Sequence, residues 1–117
     1  MADLIKSYFE GAEVEVVKRV VREGEEYFRV RARIDGVVLE VREYWSRGEL
    51  RFYGYQLIVG HRAVLRYNNA PHWPSVRTFP HHKHVGGRVE ELREVGLSAF
   101  LDEARSLLRA RAPEPRT

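Results

Sequence analysis

The chain has 117 residues, 44% hydrophobic and 32% charged, enough for one globular domain with a modest core. It has no cysteine, which excludes disulfides, thiolate zinc sites and cysteine nucleophiles together. Twenty basic residues against 17 acidic ones leave a net charge of +3, too small an excess to mark a nucleic-acid binder by charge alone.

Asp3 is placed to cap a short helix carrying Leu4, Ile5, Tyr8 and Phe9 at helical spacing, with Gly11 ending it. Residues 13–22 are rich in β-branched side chains and read as a strand. After a turn at Glu23-Gly24-Glu25, residues 26–34 alternate Phe28, Val30, Ala32 and Ile34 with Tyr27, Arg29, Arg31 and Arg33. Asp35-Gly36 is a two-residue hairpin signal. Across it Ile34 faces Val37, Ala32 faces Leu39 and Val30 faces Val41, all apolar. On the other side Arg31 meets Glu40, Arg29 meets Arg42 and Tyr27 meets Tyr44. A turn at Ser46-Arg47-Gly48 leads to a strand over 49–59, with Leu50 and Phe52 on one side and Arg51, Tyr53 and Tyr55 on the other. Gly60-His61 turns into a last strand, 62–67.

Residues 68–87 show no period and hold three prolines, four histidines and two glycines. A structureless stretch of about 20 residues inside a compact domain is either functional or disordered, and Trp73, Phe79 and Val85 argue against disorder. Ser98 is placed to cap a final helix whose apolar stripe is Leu97, Phe100, Leu101, Ala104, Leu107 and Leu108. The expected fold class is α+β: an antiparallel five-stranded meander covered on one face by an N-terminal and a C-terminal helix. Residues 1–110 form a single domain containing the His/Pro-rich functional loop at 68–87, and 111–117 form a flexible tail. No apolar run approaches the roughly 18 residues that span a bilayer, and residues 1–6 lack the apolar core of a signal peptide. A cytoplasmic protein with no membrane contact is expected.

Chemistry concentrates in the histidines, because imidazole titrates near neutrality. If residues 80–85 are extended, His82 and His84 point one way and His81 the other. Three readings compete. A pair of imidazoles cleaves RNA without metal when one removes the 2′-hydroxyl proton and the other protonates the leaving oxygen. His82 and His84 fit those roles, His72 joins them if the loop folds back, and Lys83 or Arg66 is the cation for the phosphorane. Alternatively, two or three imidazoles hold a divalent ion. No Asp or Glu lies between Glu49 and Glu90, so no metal site and no cofactor is assigned. In the third reading the histidines bond loop carbonyls and pack on Trp73 and Phe79.

The sheet's polar face is the second candidate. Arg29 opposite Arg42 juxtaposes like charges, which an anion would relieve. Tyr27, Tyr44, Tyr53 and Tyr55 interleave with Arg29, Arg31 and Arg51, which suits single-stranded nucleic acid; a solvated face balanced by Glu40 and Glu43 is the plainer alternative. Arg29, Arg42, Tyr53, Tyr55 and Asn69 are the substrate-binding candidates, although Asn pairs such as Asn68-Asn69 also serve turns. Only Lys6, Lys18 and Lys83 are lysines, and the other 17 bases are arginines. That choice favours bidentate phosphate contacts, and a GC-rich genome or a hot habitat would produce it too.

Arg66-Tyr67-Asn68-Asn69-Ala70-Pro71-His72, followed by Thr78-Phe79-Pro80-His81-His82-Lys83-His84-Val85-Gly86, resembles the TumE family of small prokaryotic toxins. The likeness extends back through Tyr53 and Tyr55 and forward to the terminal helix. It implies a growth-inhibiting toxin with a cognate antitoxin as partner. The family pattern carries Asp-Asn after Arg-Tyr and a second His after Pro-His. Here Asn68 and Trp73 stand at those places, and Asn68 cannot act as a carboxylate ligand or base. Ribonuclease action is inferred from the His, Arg and Tyr content, against a non-catalytic binding module and a metal-dependent enzyme. An edge strand or the apolar helix faces leave a homodimer open.

Overall fold

Asp35 and Gly36 both take positive φ (46° and 79°), the geometry of a tight hairpin turn in the computed structural model, which describes residues 1–111. The turn joins β2 (Glu25–Ile34) to β3 (Val37–Ser46) in the register read from the sequence, with Val30 on Val41, Arg31 on Glu40, Arg29 on Arg42 and Tyr27 on Tyr44. β1 (Glu13–Arg22) precedes this hairpin; β4 (Glu49–Val59) and β5 (Arg62–Asn68) follow it.

The sheet does not stop at five strands. β6 (His82–Val85) and β7 (Arg88–Glu91) extend it to seven antiparallel strands in sequence order. Each is only four residues long, too short to show a period, and they turn at Gly86-Gly87, a dipeptide suited to a tight hairpin. The irregular stretch thus shrinks from 68–87 to 69–81. Helices α1 (Ala2–Tyr8) and α2 (Leu97–Arg111) complete the α+β fold. Of the tail expected at 111–117, Arg111 closes α2 and residues 112–117 lie outside those described.

Neither helix is capped as expected. α1 begins at Ala2, with Asp3 inside its first turn and no side-chain cap. α2 begins at Leu97, where Gly96 precedes it and accepts the Phe100 N–H, so Ser98 lies inside the helix. The apolar stripe is as read: Leu97, Phe100, Leu101 and Ala104 are buried, and Leu107 and Leu108 pack at the margin. These side chains join Ile5 and Phe9 of α1 and one face of the sheet, including Val30, Ala32, Leu39, Val41, Leu57 and Leu65, in a single core cluster.

Tyr53 and Tyr55 belong to that core, not to the polar face. They are 5% and 1% exposed. A β-bulge between Tyr44 and Trp45 sets Trp45 on Leu50 but Tyr44 on Phe52, leaving Arg51 unpaired. The extra residue reverses the phase of β4, so Tyr53 lands beside Glu43 and Tyr55 beside Val41. Phe52 is turned to the opposite side and is 60% exposed. Among the described residues, no helix is long and apolar enough to cross a membrane.

Candidate functional site

The helix-free face is built from residues that alternate with the core. Arg42 of β3 lies opposite Gly54 of β4, Gly54 opposite Asn68 of β5, and Asn68 opposite His82 of β6. In the neighbouring row Gln56 faces Arg66 and Arg66 faces His84. Antiparallel partners share a face about 5 Å apart. The sheet register therefore brings Arg66, Asn68, His82 and His84 together.

Gly54 shapes this surface by what it lacks. A Cβ on it would meet Nε of Arg42 at 2.7 Å, so the Arg42 side chain lies across β4 only because position 54 is bare. Two hollows adjoin there. One of about 230 Å³ is lined by Arg29, Arg42 and Arg66. A larger cleft of about 760 Å³ runs from Tyr44 and Phe52 past Arg42 and Arg66 to His82 and His84, with His72 and Trp73 on its loop side. Glu40 pairs with Arg29 at 3.5 Å and with Arg31 at 3.2 Å. Burial alone would raise Glu40, but hydrogen bonds from Gln56 and Arg31 and the two guanidinium charges hold its carboxyl below the usual range. Among the described residues, Arg42 and Arg66 have no such carboxylate partner.

His82 is 2% exposed, and its Nδ1 lies 3.0 Å from the Pro80 carbonyl. A carbonyl only accepts, so Nδ1 carries the proton and Nε2 is left for other work. The His84 ring stands 5.1 Å from that of His82 and 6.0 Å from Trp73, edge-on to both. Burial, then His82 and then Arg66, lower the His84 pKa. The sign follows. Between the lowered folded value and the ordinary value near 6.5, the unfolded chain binds a proton that the folded chain refuses, so stability falls as pH drops through that window. Replacing Arg66 with alanine is expected to raise the His84 pKa, readable in the pH titration of its ring proton by NMR. An unchanged or lower value would remove Arg66 from its surroundings.

The other candidates are placed as follows. His72 is exposed on the loop bordering the cleft. His81 points away from His82 and His84, as the alternation requires, stacking on Tyr53 with Nδ1 2.9 Å from its hydroxyl. Lys83 is on the helix side, where Nζ bonds Glu103 of α2 at 3.0 Å, and so cannot reach a group lying between His82 and His84. Asn69 is spent on β4: its Oδ1 accepts the Tyr53 N–H and its Nδ2 donates to the Arg51 carbonyl. It continues the strand ladder beside the bulge, leaving one N–H and one lone pair of the amide at the wall of the cleft. Tyr55 donates to the buried Glu43, and Tyr67 to Glu103. Burial first, then those carboxylates, raise both phenols well above their usual range.

Three contributors were not legible in the sequence. Phe52 needed the bulge, and Gly54 needed the Arg42 rotamer. Thr78 orders the loop by donating to the His81 carbonyl at 2.7 Å while accepting the Leu92 N–H at 2.8 Å. The Asn68 side chain accepts the Ala70 N–H and starts the loop. Among the described residues, no three His, Asp or Glu side chains gather to hold a metal ion.

A family model described as Toxin TumE matches residues 1–111. No curated protein and no solved structure matches.

Proposed function

The chain belongs to the TumE toxin family, which makes it the toxin component of a toxin–antitoxin module with a cognate antitoxin as partner, and on that premise we propose that it cuts RNA without a metal ion. The observation that carries this reading is the meeting of His82, His84 and Arg66 on one sheet face beside Arg42. Rings 5.1 Å apart disfavour two positive charges, which suits the pair to one base and one acid. His84, kept neutral by its surroundings, takes the 2′-hydroxyl proton. His82 gives a proton from Nε2 to the leaving 5′-oxygen while Pro80 steadies Nδ1. The 2′-oxygen bonds to phosphorus as the bond from phosphorus to the 5′-oxygen breaks, which yields a 2′,3′-cyclic phosphate and a 5′-hydroxyl. Arg42 and Arg66 offset the charge of the phosphorane, and His72 contacts the substrate from the rim.

Purified protein is therefore expected to cleave single-stranded RNA in excess EDTA, leaving cyclic phosphate ends, and to spare DNA, which lacks the attacking hydroxyl. No cleavage in EDTA, or equal cleavage of DNA, would reject the mechanism. One observation favours a second reading. A histidine 2% exposed and bonded to its own loop is what a structural role requires. The face would then bind a partner without turnover.

A further inference from the structure

The register aligns more than the cleft. One row crosses the sheet from Lys18 to Arg29, Arg42, Gly54, Asn68 and His82, each the direct partner of the next. Five strand spacings of about 4.8 Å make it about 24 Å long. Its first three members are cations, and Gly54 lets the third reach over β4. Beside it runs a row of rings, Tyr27, Tyr44 and Phe52, in which Tyr44 stacks on Phe52 with centroids 5.9 Å apart and planes 21° apart. Phe52 is 60% exposed and Trp73, across the cleft, is 41% exposed. Large rings rarely stand in water beside a file of bases without a ligand to cover them.

We propose that these two files form a track for single-stranded RNA, running across the strands from the β1 edge to the histidine pair. Phosphates follow Lys18, Arg29 and Arg42, and bases stack on Tyr27, Tyr44 and Phe52. Rings accept any base, so the track is indifferent to sequence, and its length suits roughly four nucleotides. Glu40, one row away, bridges Arg29 and Arg31 through its two oxygens, while Arg42 has no carboxylate partner among the described residues. The track rests on the RNA reading of the site and extends it by some 24 Å, beyond the reacting bond.

The test uses the whole chain and fluorescent oligouridines of two to ten nucleotides carrying 2′-O-methyl groups. These have no hydroxyl to attack phosphorus, so binding is read apart from cleavage. Affinity is expected to climb with length to about four or five nucleotides and then level. Phe52→Ala, a change at an exposed position, is expected to weaken the longer oligomers about 10- to 100-fold. Lys18→Ala is expected to flatten the salt dependence by about 0.7 in the log–log slope. Affinity independent of length, an unaltered Phe52→Ala variant, or equal competition by polyglutamate would overturn the track. Length-dependent binding with no cleavage of natural RNA would instead sink the nuclease and leave the track standing.

Discussion

Replacing His82 with asparagine is expected to end RNA cleavage while leaving the fold in place. The two jobs of this side chain reside on different nitrogens. Nδ1 ties the ring to Pro80 and Nε2 is the group assigned to the leaving oxygen. Asparagine has an amide nitrogen near the place of Nδ1 and nothing at the place of Nε2. It retains the donor to the carbonyl and loses the proton carrier. Positioned acid–base groups contribute about 10²- to 10⁴-fold, so the rate should fall by that factor. The melting temperature should move far less than in His82→Ala, which also leaves the partly buried Pro80 carbonyl unbonded, at a cost of up to about 1–3 kcal/mol. Cleavage rates and melting curves on the three proteins check this. An asparagine variant that keeps most of its rate would remove His82 from catalysis, and one that unfolds would leave the residue as a strut of the loop.

Phe100→Ala should give the largest loss of stability. The ring is fully buried on α2, with centroids 5.5 Å from Tyr55 and 5.3 Å from Tyr67. Truncating such a residue costs about 3–5 kcal/mol, against a total of about 5–15 kcal/mol for a domain. A fall in melting temperature of at least roughly 10 °C is expected by calorimetry. The loss should spread to both tyrosines, whose hydroxyls hold Glu43 and Glu103. A shift of only a few degrees would mean that α2 is not the lid of this core.

The hairpin at Asp35-Gly36 was fully legible because a two-residue turn fixes the register and the core-side pairs nearest it, Ile34–Val37, Ala32–Leu39 and Val30–Val41, are all apolar. The next hairpin was not. One unpaired residue at the Tyr44–Trp45 bulge exchanged the faces of β4, sending Tyr53 and Tyr55 inward and Phe52 outward, and no local signal in the sequence marks it. β6 and β7 escaped notice because four residues cannot display a period and prolines precede them. The prediction that His82 and His84 lie together survived, since alternation holds even in a strand that short. Arg29 and Arg42 were correctly paired, and the placement of Lys83 follows from the same alternation: between two residues of one face, it must belong to the other.

Each strand pairs only with its neighbours in the chain, and that bears on the order in which the fold closes. Hairpins linked in sequence can zip as they are made, at low cost in loop closure. The core cannot. Ile5 and Phe9 share their burial with Phe100 and Leu101, at the far end of the described chain. A nascent chain lacking α2 carries a complete row of site residues on an unbacked sheet. The sheet that carries the row is therefore backed only once α2 has been made, after every one of its strands.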